Sequence, residues 1–107
     1  MTKPYCIGSD EWNGLSKLIE ELGELQQVCG KLIGSEGSTA HWSGELTEKF
    51  IEELGDVYAA MAYFVTRNFS PDADNAIIAQ AERKFATFNQ WDKDVRQYAS
   101  KGDVPCK

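Results

Sequence analysis

Apolar residues recur along this chain at steps of three and four, and that period predicts helices. The first stripe runs through Trp12, Leu15, Leu18, Ile19, Leu22, Leu25, Val28, Cys29, Leu32 and Ile33. Ser9 stands where a cap belongs, Asp10 and Glu11 follow as first-turn acids, and Gly34 is a C-terminal stop. The next ten residues, SEGSTAHWSG, are polar and glycine-rich and read as a loop. A second stripe, Leu46, Phe50, Leu54, Val57, Met61, Phe64 and Val65, predicts a helix from a Ser43 cap to about Asn68. Ser70-Pro71-Asp72 restarts the pattern with a cap, a proline at the first helical position and an acid. The third helix carries Ala73, Ile77, Ile78, Ala81, Phe85, Phe88, Trp91, Val95 and Tyr98, with Gly102 ending it.

No segment alternates with period two for long enough to build a sheet, so the expected class is all-α. The 107 residues form a single domain, 1–107, because a chain this short cannot support two independent cores. Short connections favour three long antiparallel helices. Their apolar stripes exceed what one small core covers, and the expected architecture is a four-helix-type bundle completed by oligomerisation, as a homodimer or homotetramer.

Charge removes several functions. Eleven basic residues against seventeen acidic ones give a net charge of −6, which disfavours a phosphate-neutralising surface for nucleic acid. A nucleotide substrate is still compatible, because a metal ion supplies positive charge locally. Cys6, Cys29 and Cys106 are widely spaced, with no CxxC pair, so neither a disulfide framework nor a zinc site is expected. The start, MTKPYCIGSDEW, lacks the apolar core of a signal peptide, and no window approaches the length of a membrane span. The expectation is a cytoplasmic protein with no membrane partner.

The most informative feature is a repeat. Residues 17–25 read KLIEELGEL and residues 49–57 read KFIEELGDV, identical at six of nine positions. At 100° per residue, Lys17, Glu21 and Glu24 share one side of the first helix, and Lys49, Glu53 and Asp56 share the matching side of the second. Glu21 and Glu53 project about 80° from the centre of their apolar stripes, whereas Glu20 and Glu52 point almost directly away. The acidic line continues into Val28 on the first helix and into Ala60 and Tyr63 on the second. A solvated face does not turn apolar one turn later, so these carboxylates line a groove. Like charges at i,i+4 (Glu20 and Glu24, Glu52 and Asp56) cost about 0.2–0.5 kcal/mol per pair in an isolated helix. Gathering Glu21, Glu24, Glu53 and Asp56 adds repulsion that a cation would relieve. An all-oxygen donor set suits Mg²⁺, with Mn²⁺ as a substitute.

The pair EELGE at 20–24 and EELGD at 52–56, separated by 27 residues, resembles the paired motif of the all-α, MazG-like nucleoside triphosphate pyrophosphohydrolases, relatives of the dimeric dUTPases and dCTPases. The likeness covers roughly residues 15–65. It implies Mg²⁺-dependent hydrolysis of a nucleoside triphosphate to the monophosphate and pyrophosphate. Carried over, Glu21, Glu24, Glu53 and Asp56 become the metal ligands, and Glu20 a catalytic candidate that supports them or orients the attacking water. Lys17, on the acidic side of its helix, becomes a substrate-binding candidate, as do Lys84 and Asn89 on the third helix, although the spacing there departs from the relatives. The tyrosine that some dCTP-directed relatives place four residues after the aspartate is Ala60 here, which speaks against a dCTPase.

His41 and Trp42, in the loop between the acidic helices, are further candidates for contacting a base. Trp12 and Trp91 lie on apolar stripes and read as packing. A non-catalytic helical interaction module is the alternative reading. A di-iron carboxylate bundle needs Glu-x-x-His pairs, and the one histidine, His41, stands in a loop.

Overall fold

The computed structural model describes residues 3–99, Gly102 and Cys106. The chain folds as two compact units, Met1–Phe69 and Ser70–Lys107. The first contains helix α1 (Leu15–Gly34), a minimal hairpin of β1 (Ala40–His41) and β2 (Gly44–Glu45), and helix α2 (Leu46–Asn68); the second contains helix α3 (Pro71–Ala99). The class is all-α, as the periodicity requires. No helix is long and apolar enough to cross a membrane.

Helix α1 begins later than its cap signals indicate. The Ser9 hydroxyl accepts from the Glu11 amide at 3.0 Å and donates to the Glu11 carbonyl at 3.1 Å. This local turn competes with helix initiation. The segment before α1 is tied into a compact loop: Tyr5 N–H donates to the Glu11 carbonyl at 2.9 Å, and Ser16 N–H to the Tyr5 carbonyl at 3.0 Å. Asn13 Oδ1 accepts from the Gly8 amide at 2.8 Å. Gly14, at φ +87°, makes the left-handed step into the helix. At the other end α1 stops at Gly34, as expected, and the chain reverses through Glu36 and Gly37 at φ +57° and +86°.

The polar segment before α2 is not all loop. Ala40 pairs with Glu45 and His41 with Gly44 in antiparallel register, leaving Trp42 and Ser43 as a two-residue turn. That turn consumes Ser43, whose hydroxyl lies 2.7 Å from His41 Nδ1. Glu45 caps α2 instead, its Oε1 accepting from the Thr47 amide at 2.8 Å. The Thr47 side chain first, and then this backbone amide, hold the Glu45 carboxyl below its ordinary pKa.

α1 and α2 pack antiparallel. Tyr63 Oη, near the end of α2, donates to Asn13 Oδ1 at 3.0 Å, and Asn68 Nδ2 donates to the Asn13 carbonyl at 2.9 Å. Trp12 stacks on Phe64 at 6.1 Å and meets Phe69 at 6.0 Å, closing the same end. Among the described residues, the buried apolar side chains are Val28, Leu46 and Ala60. Leu18, Leu25, Leu32, Phe50, Val57 and Phe64 are half-buried around them. Part of each predicted stripe stays exposed in this unit: Ile19, Leu22 and Ile33 on α1, and Leu54 and Met61 on α2, beside Ile51 and Tyr58. Two helices offer only one mutual face, so the wide stripes cannot both be covered.

In the second unit the expected start of α3 is met. Ser70 Oγ accepts from the Ala73 amide at 3.3 Å, Pro71 opens the helix, and Asp72 and Asp74 occupy its first turn. Phe85, Phe88 and Tyr98 are exposed.

Candidate metal centre

The repeat converges as its spacing requires. Antiparallel packing sets residues 20–24 of α1 against residues 53–56 of α2. One carboxylate oxygen each from Glu21, Glu24, Glu53 and Asp56 lies within 4.8 Å of the others. Glu21, Glu24 and Asp56 are half-buried, and Glu53 is 2% exposed. Val28 and Ala60, on the apolar continuation of the acidic lines, are buried. That is why carboxylates one turn earlier face inward.

Four acids at this separation repel one another. The Glu24 carboxyl is raised above its ordinary pKa, chiefly by the charge of Glu21, then by desolvation, then by the charge of Glu53. Glu53 Oε1 takes the Lys49 ammonium at 2.8 Å. Glu53 Oε2 and Glu21 Oε2 are buried and have no hydrogen-bond partner. A buried anionic oxygen without a partner is costly, and a cation among the carboxylates would remove that cost. Hard oxygen donors, and no sulfur or nitrogen, fit Mg²⁺ or Mn²⁺.

The remaining candidates fall into three places. Lys17 lines a cleft of about 300 Å³ together with Ile7, Gly14, Glu21, Asp56, Ala59, Ala60 and Tyr63. Its ammonium meets Glu20 Oε2 at 2.8 Å, and that hydrogen bond is the main cause of its raised pKa, with Glu21 and Glu24 contributing through charge. Glu20 is exposed and outside the four-carboxylate group. His41 and Trp42 line a different cleft, with Gln27, Gly30 and Lys31, to which none of the four carboxylates contributes. Trp42 is 92% exposed, and the His41 ring lies 5.2 Å from it. Lys84 and Asn89 are exposed on α3, where the Lys84 ammonium lies 5.8 Å from the Phe88 ring and 5.9 Å from Trp91.

One part of the site escapes motif reading. Gly14 forms the cleft wall against Tyr63, and a Cβ on it would sit 2.9 Å from the Tyr63 ring. Asn13 fixes that tyrosine through its hydroxyl. The Asn13-Gly14 dipeptide is a turn signal, and it interrupts the apolar stripe just where the helix begins.

No family model, curated protein or solved structure matches this chain.

Proposed function

We propose that this chain is a Mg²⁺-dependent nucleoside triphosphate pyrophosphohydrolase of the MazG-like kind, converting a (d)NTP and water to the (d)NMP and pyrophosphate. The observation that carries the reading is a group of four carboxylates within 4.8 Å, one of them buried with a partnerless oxygen. It coincides with the paired motif at 20–24 and 52–56. Glu21, Glu24, Glu53 and Asp56 would hold the ion. When bound, Mg²⁺ supplies charge neutralisation for the triphosphate and lowers the pKa of a coordinated water.

The chain's own residues divide the remaining work. Lys17 lines the cleft beside Glu21 and Asp56 and would attract the phosphate chain. Ile7, Ala59, Ala60 and Tyr63 give that cleft an apolar wall for the sugar or base. Glu20 orients Lys17 through their 2.8 Å ion pair. His41 and Trp42 offer a second surface for a base. The exposed apolar faces of α1 and α2 suit a second copy of the chain, giving a homodimer or homotetramer. The free thiols of Cys6, Cys29 and Cys106 suit a reducing cytoplasm.

The test is incubation with a panel of standard and modified nucleoside triphosphates, with pyrophosphate detected separately from orthophosphate. Release of pyrophosphate that stops on chelation is the expected result. Those same exposed stripes favour the second reading, a non-catalytic interaction module. A module of that kind gives neither pyrophosphate nor a Mg²⁺-dependent shift in melting temperature.

A further inference from the structure

The two copies of the acidic block are alike in sequence but not in their ion pairs. Lys17 meets Glu20 Oε2 at 2.8 Å, on an exposed carboxylate outside the four-acid group. Lys49, its counterpart in the repeat, meets Glu53 Oε1 at 2.8 Å and lies 3.9 Å from Glu52. One lysine thus pairs with an exposed acid outside the group, and the other occupies an oxygen of the most buried acid in it. Lys49 itself is 53% exposed, so its ammonium can leave Glu53 for water without crossing the core.

An ammonium and a divalent cation cannot share one carboxylate without repulsion, because like charges a few ångströms apart raise each other's energy. We propose that Lys49 is the resident counter-cation of the four-carboxylate group: it holds the buried Glu53 in the metal-free protein, is displaced when a divalent cation binds, and thereby sets the metal affinity of the site. The inference rests on the metal-site reading above. Lys49 acts through Glu53 and is a positioning residue. Lys17 has no such role, because its partner Glu20 lies outside the group.

The experiment is Mn²⁺ titration of the full chain by electron paramagnetic resonance, paired with thermal melts in the presence and absence of metal. Wild type, Lys49→Met, Lys49→Arg and Lys17→Met are compared. Lys49→Met is expected to bind Mn²⁺ about tenfold more tightly, from the removal of one nearby like charge. It is also expected to melt at a lower temperature without metal, and to gain more from saturating Mn²⁺ than wild type does. Lys49→Arg should restore the wild-type affinity, and Lys17→Met should shift it less than Lys49→Met. A merely structural lysine would lower the melting temperature and leave affinity unchanged or weaker, and that result overturns the inference. Should Lys49→Met fail to fold, the lysine side-chain NMR signals of the wild type decide. Saturating Mg²⁺ is expected to move the Lys49 Cε–Nζ signal more than that of Lys17, and an unmoved Lys49 signal overturns the inference. Wild type that binds no Mn²⁺ overturns the metal reading itself. Binding by wild type with an unchanged Lys49→Met removes the role of Lys49 alone.

Discussion

Replacing Glu53 by glutamine separates the cost of the four-carboxylate group from its use. The side chain keeps its shape and loses its charge. Its oxygen lies within 4.8 Å of those of Glu21, Glu24 and Asp56. At that distance a pair of like unit charges repels by about 1 kcal/mol in water and about 3.5 kcal/mol at an effective dielectric constant near 20. Burial to 2% exposure moves Glu53 toward the second limit. Against this stands the loss of charge from its pair with Lys49, which solvent screens because Lys49 is half exposed. The glutamine amide can also donate to a neighbouring carboxylate. Without metal, Glu53→Gln should therefore melt at the wild-type temperature or several degrees above it, since ~1 kcal/mol corresponds to ~4–8 °C in a small domain. With Mg²⁺ the order reverses, because the variant loses the metal-dependent gain. Pyrophosphate release should fall by about three orders of magnitude, roughly 4 kcal/mol of barrier. Glu11→Gln, an exposed acid outside the group, serves as the control and should retain turnover. The assays are differential scanning fluorimetry with and without Mg²⁺, and coupled pyrophosphate detection. Wild-type turnover with unchanged Mg²⁺ dependence in Glu53→Gln would refute the reasoning.

Other outcomes follow from the same geometry. Glu24 is held above its ordinary pKa of 4.5 by Glu21, desolvation and Glu53, so its destabilising effect is full above the raised value and is relieved as pH falls through it toward 4.5. Glu45, held below 4.5 by Thr47, has the opposite sign: its contribution is present above 4.5 and is lost as pH falls through the lowered value. Carbon-13 NMR of metal-free protein should show Glu24 titrating above Glu45, with Mg²⁺ pulling Glu24 down; the reverse order contradicts the cluster. Gly14→Ala should lower stability in urea unfolding by about 2–4 kcal/mol, combining a left-handed φ with a Cβ 2.9 Å from the Tyr63 ring. A loss below about 0.5 kcal/mol would show that the loop yields freely. The exposed apolar faces of α1 and α2 should drive self-association, and sedimentation of a 12.0 kDa monomer at micromolar concentration would contradict it.

What the sequence discloses depends on how local the determinant is. Ser70-Pro71-Asp72 starts α3 because cap, proline and acid all act within one turn. Ser9-Asp10-Glu11 carries comparable signals and fails, because the Ser9 hydroxyl closes a turn on Glu11 while Gly14 makes the left-handed step. The β1–β2 hairpin is invisible to periodicity, since two-residue strands are too short to alternate. The four-carboxylate group is legible because helical geometry alone sets Glu21 with Glu24 and Glu53 with Asp56, and antiparallel packing supplies the rest. The different partners of Lys17 and Lys49 are not legible: Lys-x-x-Glu-Glu offers both an i,i+3 and an i,i+4 acid in each copy. The tertiary surroundings decide between them, burying Glu53 and leaving Glu21 half-buried.

The claim that Glu21, Glu24, Glu53 and Asp56 share a divalent cation is tested most directly by crystals of the wild-type protein soaked in Mn²⁺, measured near the manganese absorption edge. An anomalous difference peak among those four carboxylates, lost in Glu53→Gln crystals, is the expected result. Well-ordered carboxylates with no peak between them, or a peak only at other acids of the surface, would contradict it.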